Sequence, residues 1–189
     1  MSKFLLVLLP VFGMATTTHA QQKQDMNSTQ SNHKILVAYF SATGTIARAA
    51  EKLVNVTGGE LYAITPAQPY TSADLDWHDK QSRSSVEMND SKARPTIKDK
   101  KENIAGYDVI FLGYPIWWGL APRIIETFIE SHDLNGKIVI PFATSGSSPI
   151  DNSVTALRKA YPALRWKEGK LLNRSSESSI REWIGHLKY

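Results

Sequence analysis

The 189-residue sequence contains no cysteine. This absence excludes disulfides, thiol chemistry, cysteine metal sites and lipid attachment through a cysteine. Apolar runs are short, and none reaches the roughly 20 residues that a membrane-spanning helix needs. No strong charge of either sign is present, since 22 basic side chains stand against 18 acidic ones, a mild basic excess. The basic residues are scattered and no nucleic-acid-binding motif is present, so we expect no nucleic-acid partner.

Residues 1–20 have the pattern of a secretory signal peptide. A lysine near the start precedes the apolar run Phe4–Ala15, and small residues in Thr18–Ala20 occupy the positions that a signal peptidase reads. The alternative is a buried N-terminal helix. We predict cleavage near Ala20-Gln21 and an exported protein, periplasmic or secreted, without a membrane span. The polar residues 21–33 then form a flexible leader.

Residues 34–189 form the predicted domain, in which short apolar runs alternate with segments of helical periodicity. Alternating strands and helices predict an α/β fold with a doubly wound, five-stranded parallel sheet. A polar insert, Thr71–Asn103, interrupts the alternation and contains a weak helical pattern at Asp74–Asp90. Insert loops of this length often lie over a functional site. The predicted strands are Ile35–Phe40, Glu60–Ile64, Tyr107–Gly113, Lys137–Ala143 and Trp166–Leu172.

The loop Ser41–Thr45 joins the first strand directly to an amphipathic helix. Free backbone N–H groups and the positive end of the helix dipole favour an anion at such a position, and the hydroxyls add donors. No lysine follows Gly44, which excludes a Walker A loop, and a lone glycine excludes a GxGxxG turn. No Lys or Arg lies between Phe40 and Ala47, so the loop suits a terminal phosphate held by neutral donors without metal. The alternative is an ordinary helix start capped by Ser or Thr.

Two other loops follow predicted strands at the same edge of the sheet, where ligands bind in such folds. Tyr114–Gly119 contains adjacent tryptophans, Trp117 and Trp118, of which at most one can stack on a given ring. Thr144–Ser148 offers small polar groups and a glycine. Together the three loops suit a phosphorylated flat heterocycle. The alternative is that both tryptophans only cap the core.

These three loops resemble those of the flavodoxin family, most closely its short, single-domain branch. The resemblance implies strand order 2-1-3-4-5 and non-covalent FMN, with Ser41–Thr45 at its phosphate, Tyr114–Gly119 against the isoalloxazine and Thr144–Ser148 at the ring edge. This sequence departs from the family pattern at Ile46, where Thr is usual, and in its net positive charge, since electron-carrier flavodoxins are typically acidic. The implied cofactor-binding residues are Ser41, Ala42, Thr43, Gly44, Thr45, Ile46, Tyr114, Pro115, Ile116, Trp117, Trp118, Gly119, Thr144, Ser145, Gly146, Ser147 and Ser148.

The resemblance implies a flavoprotein with redox function, and three interpretations remain open. The first is an FMN-dependent reductase that passes electrons from a nicotinamide to a quinone or a similar small acceptor. The second is a one-electron carrier for protein partners, and the third is a fold that binds a ligand without redox turnover. The third loop lacks the aromatic residue that covers the outer ring face in many carriers, which favours the reductase. No catalytic side chain and no metal ligand is assigned.

Three further residues have both a functional and a structural interpretation. His78 in the insert could meet a bound substrate or be a surface histidine. Arg123 could face an anionic second substrate or solvent. His132, near the end of a predicted helix, is interpreted as structural.

Overall fold

The computed structural model describes residues 33–189, so the predicted signal peptide and almost all of the predicted leader lie outside the described residues. Within them, six parallel strands form one sheet of order β2-β1-β3-β4-β5, with β6 also paired to β4. The order that the family resemblance implies is confirmed. The strands are β1 Ile35–Tyr39, β2 Glu60–Ala63, β3 Val109–Pro115, β4 Ile138–Thr144, β5 Arg165–Trp166 and β6 Lys170–Leu171.

Helices cover both faces of the sheet. Alternate residues of β3 point to opposite sides, so that Phe111 packs with Trp183 on one face while Leu112 joins the cluster containing Phe128 on the other. The first and last helices cover the Phe111 face, and the third and fourth cover the Leu112 face. No helix in this part of the chain is long and apolar enough to cross a membrane. The helices are α1 Thr45–Thr57, α2 Arg83–Asn89, α3 Arg123–Glu130, α4 Asp151–Ala160 and α5 Glu177–His186.

The predicted fifth strand is two short strands, β5 and β6, rather than one. Trp166 pairs with Val139 and Lys170 with Phe142, so three residues lie opposite two of β4. One of those two is Pro141, which has no N–H to donate to a ladder. Gly169 passes close to it, since a Cβ on Gly169 would lie 3.0 Å from the Pro141 carbonyl oxygen. The proline therefore interrupts the edge strand.

The helix predicted at Asp74–Asp90 forms only over its last part, as α2. The preceding residues form turns in which aspartate side chains accept backbone N–H groups. Asp74 accepts from Thr71, Asp76 from His78 and Asp79 from Gln81, at 2.8–3.0 Å. Such local bonds compete with a helix, which begins only where the Ser82 hydroxyl caps it.

Candidate functional site

The loop between β1 and α1 leaves backbone donors exposed to a ligand. Gly44 precedes the helix in the left-handed region, with φ +82°, and no side chain caps the helix. Within residues 33–189 no hydrogen bond engages the N–H groups of Thr45 and Ile46, while that of Ala47 makes a long contact of 3.4 Å to the Ser41 hydroxyl. Capping therefore accounts at most for the Ser41 hydroxyl and not for those of Thr43 and Thr45. The loop has the free donors of an anion cradle.

The hydroxyls of Thr43 and Thr45 lie side by side in this loop, their Oγ1 atoms 3.4 Å apart. Ile46 differs, because its side chain is 1% exposed and packs in the core between α1 and the sheet. Only its backbone N–H can face a ligand. A threonine at this position would place its side chain in an apolar cluster, so the departure from the family pattern serves packing here.

The tryptophan loop is a tight two-residue turn. Trp117 and Leu120 exchange two backbone hydrogen bonds of 2.9 Å, and both residues between them have positive φ, +47° at Trp118 and +77° at Gly119. A large side chain in this region is strained, a feature that clusters at functional sites. The turn holds the Trp118 side chain 51% exposed to solvent.

The two tryptophans have different roles in packing. The Trp117 ring makes edge contacts to Phe40 and Tyr70, with centroids 5.6 and 5.5 Å apart. Tyr70 in turn lies under the Arg83 guanidinium at 4.0 Å and donates its hydroxyl to Glu87, and burial raises the pKa of that phenol. Trp117 is therefore fixed by the core and by α2, whereas Trp118 is available to a ligand.

The third loop is fastened by a residue that the sequence did not single out. Asn173, just after β6, accepts the Ser145 N–H at 2.8 Å and donates its amide to the Ser145 carbonyl at 2.6 Å. The Ser145 hydroxyl accepts the Ser147 N–H at 3.2 Å. Asn173 and Ser145 can form these two hydrogen bonds because β6 pairs with β4, and sequence spacing alone does not reveal that pairing.

A cavity of about 500 Å³ opens at the carboxyl edge of the sheet, lined by residues from all three loops and from the insert. The loops contribute Ala42, Thr43, Pro115, Ile116, Trp117, Trp118, Ser145, Gly146, Ser147 and Ser148. The insert adds Leu75, Trp77 and Ser84, which sequence reasoning did not assign to the site. Trp77 is 66% exposed.

A smaller depression of about 370 Å³ continues from this cavity and shares residues such as Thr43 and Trp117 with it. It adds Thr45, Thr144, Asn173 and Arg174. The remaining sequence-predicted residues line neither space: Ser41, Gly44, Ile46, Tyr114 and Gly119. Tyr114 is buried with its hydroxyl 3.1 Å from that of Ser153, and burial raises its pKa to about 12.

Comparison with known proteins decides the family. The family model described as Flavodoxin matches residues 34–187. The chain belongs to the flavodoxin family. No curated protein is significantly similar to it.

Three solved structures resemble this flavodoxin. A candidate flavoprotein from Bacteroides eggerthii DSM 20697 is 71% identical with a TM-score of 0.80, over 82% of this chain and 97% of its own. Another, from Bacteroides uniformis ATCC 8492, is 57% identical with a TM-score of 0.79, and the match covers 82% of this chain and 99% of its own. A flavoprotein from Lactobacillus acidophilus NCFM in complex with FMN is 21% identical with a TM-score of 0.64, over 80% and 99%, and shows the shared fold alone.

In this flavodoxin, three residues singled out from the sequence lie outside the cavity lining. His78 packs its ring on that of Trp77, with centroids 3.5 Å apart. Arg123 does not face solvent, because it donates to Glu126 at 2.8 Å and to the Met88 carbonyl at 3.1 Å. His132 donates from Nδ1 to the Phe128 carbonyl and accepts the Lys101 N–H at Nε2, so its role is structural. Burial lowers the pKa of His132 and favours this neutral form.

Proposed function

We propose that this flavodoxin binds FMN non-covalently and passes electrons from a nicotinamide donor to a quinone or a similar small acceptor. The observation that carries the proposal is the continuity of the site: an anion cradle at the start of α1 opens into a cavity with exposed tryptophans. Export of the mature protein, as residues 1–20 predict, is part of the same proposal.

The residues present fit the cofactor. Thr43 and Thr45 and the free N–H groups at the start of α1 would hold the phosphate, while Pro115–Trp118 and Ser145–Ser148 would contact the ring system. FMN, when bound, supplies the electron-accepting and electron-donating chemistry. The protein then binds, orients and partly shields the ring. The FMN complex of the Lactobacillus protein, which shares this fold, supports the choice of cofactor.

The cavity favours a reductase over a carrier. The third loop, Thr144–Ser148, contributes no aromatic side chain, as its sequence indicates. Trp77 and Trp118 instead line the same cavity with 66% and 51% of their surfaces exposed. Large aromatic faces that stay accessible suit a flat substrate that enters and leaves. A carrier would use one exposed ring against the flavin, so the second ring, Trp77, is what favours a small substrate.

A first experiment separates redox function from mere ligand binding. The absorbance spectrum of the purified protein, and of the protein titrated with FMN, reports flavin binding. Oxidation of NADH or NADPH by the FMN-loaded protein is then measured with and without quinones. Turnover with a quinone supports the reductase, electron exchange with protein partners alone supports the carrier, and flavin binding without either supports a non-redox protein.

A second experiment tests the role of Trp77. Trp77→Ala should raise the KM for the quinone about tenfold, in the range of a lost stacking contact, and should leave the FMN dissociation constant nearly unchanged. Trp77→Phe should restore most of the KM. The matched control is Val86→Ala, since Val86 is also an exposed apolar residue of the insert but does not line the cavity. Weaker FMN binding with an unchanged KM would place Trp77 against the cofactor instead.

A further inference from the structure

Two arginine side chains lie at the loop that starts α1, although the loop itself contains none. The Arg48 Nη1 atom lies 3.6 Å from the point that a Cβ on Gly44 would occupy. Helical side chains point back toward the helix N-terminus, which brings the residue from the first turn over the loop. Arg174, shortly after β6, lines the smaller depression together with Thr43 and Thr45 of this loop.

The segment that carries Arg174 is held against α1. Lys52 donates to the Ser175 carbonyl at 3.1 Å, and Asn55 donates to the Glu177 carboxylate at 2.9 Å. Just before Arg174, the side chain of Asn173 is fastened to the third loop. The backbone is therefore held to α1 on one side of Arg174 and to the third loop on the other.

Both guanidinium groups lack a counter-charge. Among residues 33–189, neither Arg48 nor Arg174 has a carboxylate within ion-pair distance, whereas Arg83 and Arg123 each have one and Arg94 has two. The first turn of α1 contains no acidic residue. Cations beside the positive end of a helix dipole repel it, so this arrangement is unfavourable until an anion binds there.

We infer that Arg48 and Arg174 bind the terminal phosphate of the cofactor through charge-assisted hydrogen bonds. This inference rests on the proposed function and extends it, because the loop sequence alone indicates neutral donors only. A guanidinium presents a fork of N–H donors that matches phosphate oxygens. Two such groups make recognition of the ligand depend on its charge, so binding of FMN should weaken with added salt while binding of riboflavin, which has no phosphate, should not.

The test compares FMN with riboflavin on four proteins. Dissociation constants of both flavins are measured by fluorescence quenching at low and high salt for the wild type, Arg48→Ala, Arg174→Ala and Arg181→Ala. Arg181 is the matched control, an exposed arginine on α5 that does not line the depression. We expect Arg48→Ala and Arg174→Ala each to raise the dissociation constant of FMN about tenfold, the size of one charge-assisted hydrogen bond. The dissociation constant of riboflavin should change less than about twofold. Arg181→Ala should match the wild type.

Two further readouts keep the inference separate from the proposed function. Inorganic phosphate is titrated calorimetrically into the wild type and the two arginine variants. Phosphate binding by the wild type that is lost in both variants supports the inference, even if the wild type binds no FMN. The thermal unfolding midpoint of flavin-free Arg48→Ala should equal or exceed that of the wild type, because a repulsion is removed. Equal losses for FMN and riboflavin, or FMN and phosphate binding unchanged in both variants, would overturn the inference.

Discussion

The three loops at the carboxyl edge of the sheet differ from the insert in what holds them. The loops continue buried strands, and sheet hydrogen bonds reach into them, as from the Ile116 N–H to the Thr144 carbonyl at 2.9 Å. The insert is held by two backbone hydrogen bonds of 2.8 Å, from Ala67 to Thr96 and from Lys98 to Thr65, and by polar side chains. Arg94 contacts Glu126 and Glu130 of α3 at 2.9 and 2.8 Å, and Arg123 donates back to the insert at Met88.

This difference suggests two levels of stability around one cavity. Contacts at the surface are individually weak, and regions that depend on them open more readily than a buried sheet. The loops, continuous with the buried strands, are therefore expected to be the more stable part of the site. We expect the insert, with Trp77, to open more readily than the sheet.

The largest expected effect is a loss of stability in the sheet. In Gly113→Ala the new Cβ would lie 2.2 Å from the Phe142 ring, so the buried sheet must shift, and we expect a loss of about 3 kcal/mol in the free energy of unfolding. Urea denaturation measures this loss. Gly146→Ala in the third loop is the control, since a Cβ there meets nothing within 4 Å. Equal stabilities of the two variants would contradict the packing described for β3 and β4.

The adjacent tryptophans test whether one loop contains both a structural and a binding residue. Trp117→Ala removes contacts to Phe40 and Tyr70 and should lower the free energy of unfolding by about 2 kcal/mol, less than for a fully buried ring. Trp118→Ala should leave stability nearly unchanged, because the side chain is 51% exposed and alanine keeps the Cβ at the φ of +47°. Its effect should appear in flavin binding, measured by titration. Large stability losses in both variants would support the interpretation that both tryptophans only cap the core.

A smaller and more local effect is expected at the anchor of the insert. Arg94→Ala should lower the free energy of unfolding by about 1 kcal/mol, since the ion pairs of Arg94 are partly exposed to solvent. Amide hydrogen exchange should become faster in residues 71–103 while β3 and β4 keep their protection. Lys92→Ala, a neighbouring exposed lysine without a side-chain partner among the described residues, is the control. Uniformly faster exchange would mean that the insert and the sheet open as one unit.

The smallest effect concerns pH. The pKa of His132 is lowered by burial, so below about pH 6.5 the unfolded chain takes up a proton that the folded protein resists. Its contribution to stability is present above that pH and is lost as the pH falls through the lowered pKa. The pH dependence of urea denaturation between pH 5 and 8 measures it. His132→Gln should flatten this profile, and an unchanged slope would exclude His132 as its source.

Where a local pattern determined structure, the sequence predicted it well. The apolar runs of β1, β3 and β4 are buried on both faces and form the centre of the sheet, as parallel strands must be. Gly58 ends α1 in the left-handed region, with φ +69°. The strand order followed from the family resemblance, and the three loops followed from the polar segments that end the apolar runs.

Long-range contacts account for what the sequence did not reveal. Trp77 reaches the cavity only because the insert folds back over the loops, and Arg174 reaches the cradle only because β6 lies beside β4. Neither residue stands in a periodic or motif position. Ile46 shows the reverse case, since its motif position suggested a ligand contact while its side chain lies in the core.

The central claim is that the loop at the start of α1 recognises the phosphate of FMN. Titration of FMN and riboflavin into the wild type and Thr43→Ala tests it most directly. We predict that the substitution weakens FMN binding by about 1–3 kcal/mol and leaves riboflavin binding nearly unchanged, because only FMN carries the anion that Thr43 and its neighbours would hold. Equal losses for both flavins, or no preference of the wild type for FMN over riboflavin, would contradict the account.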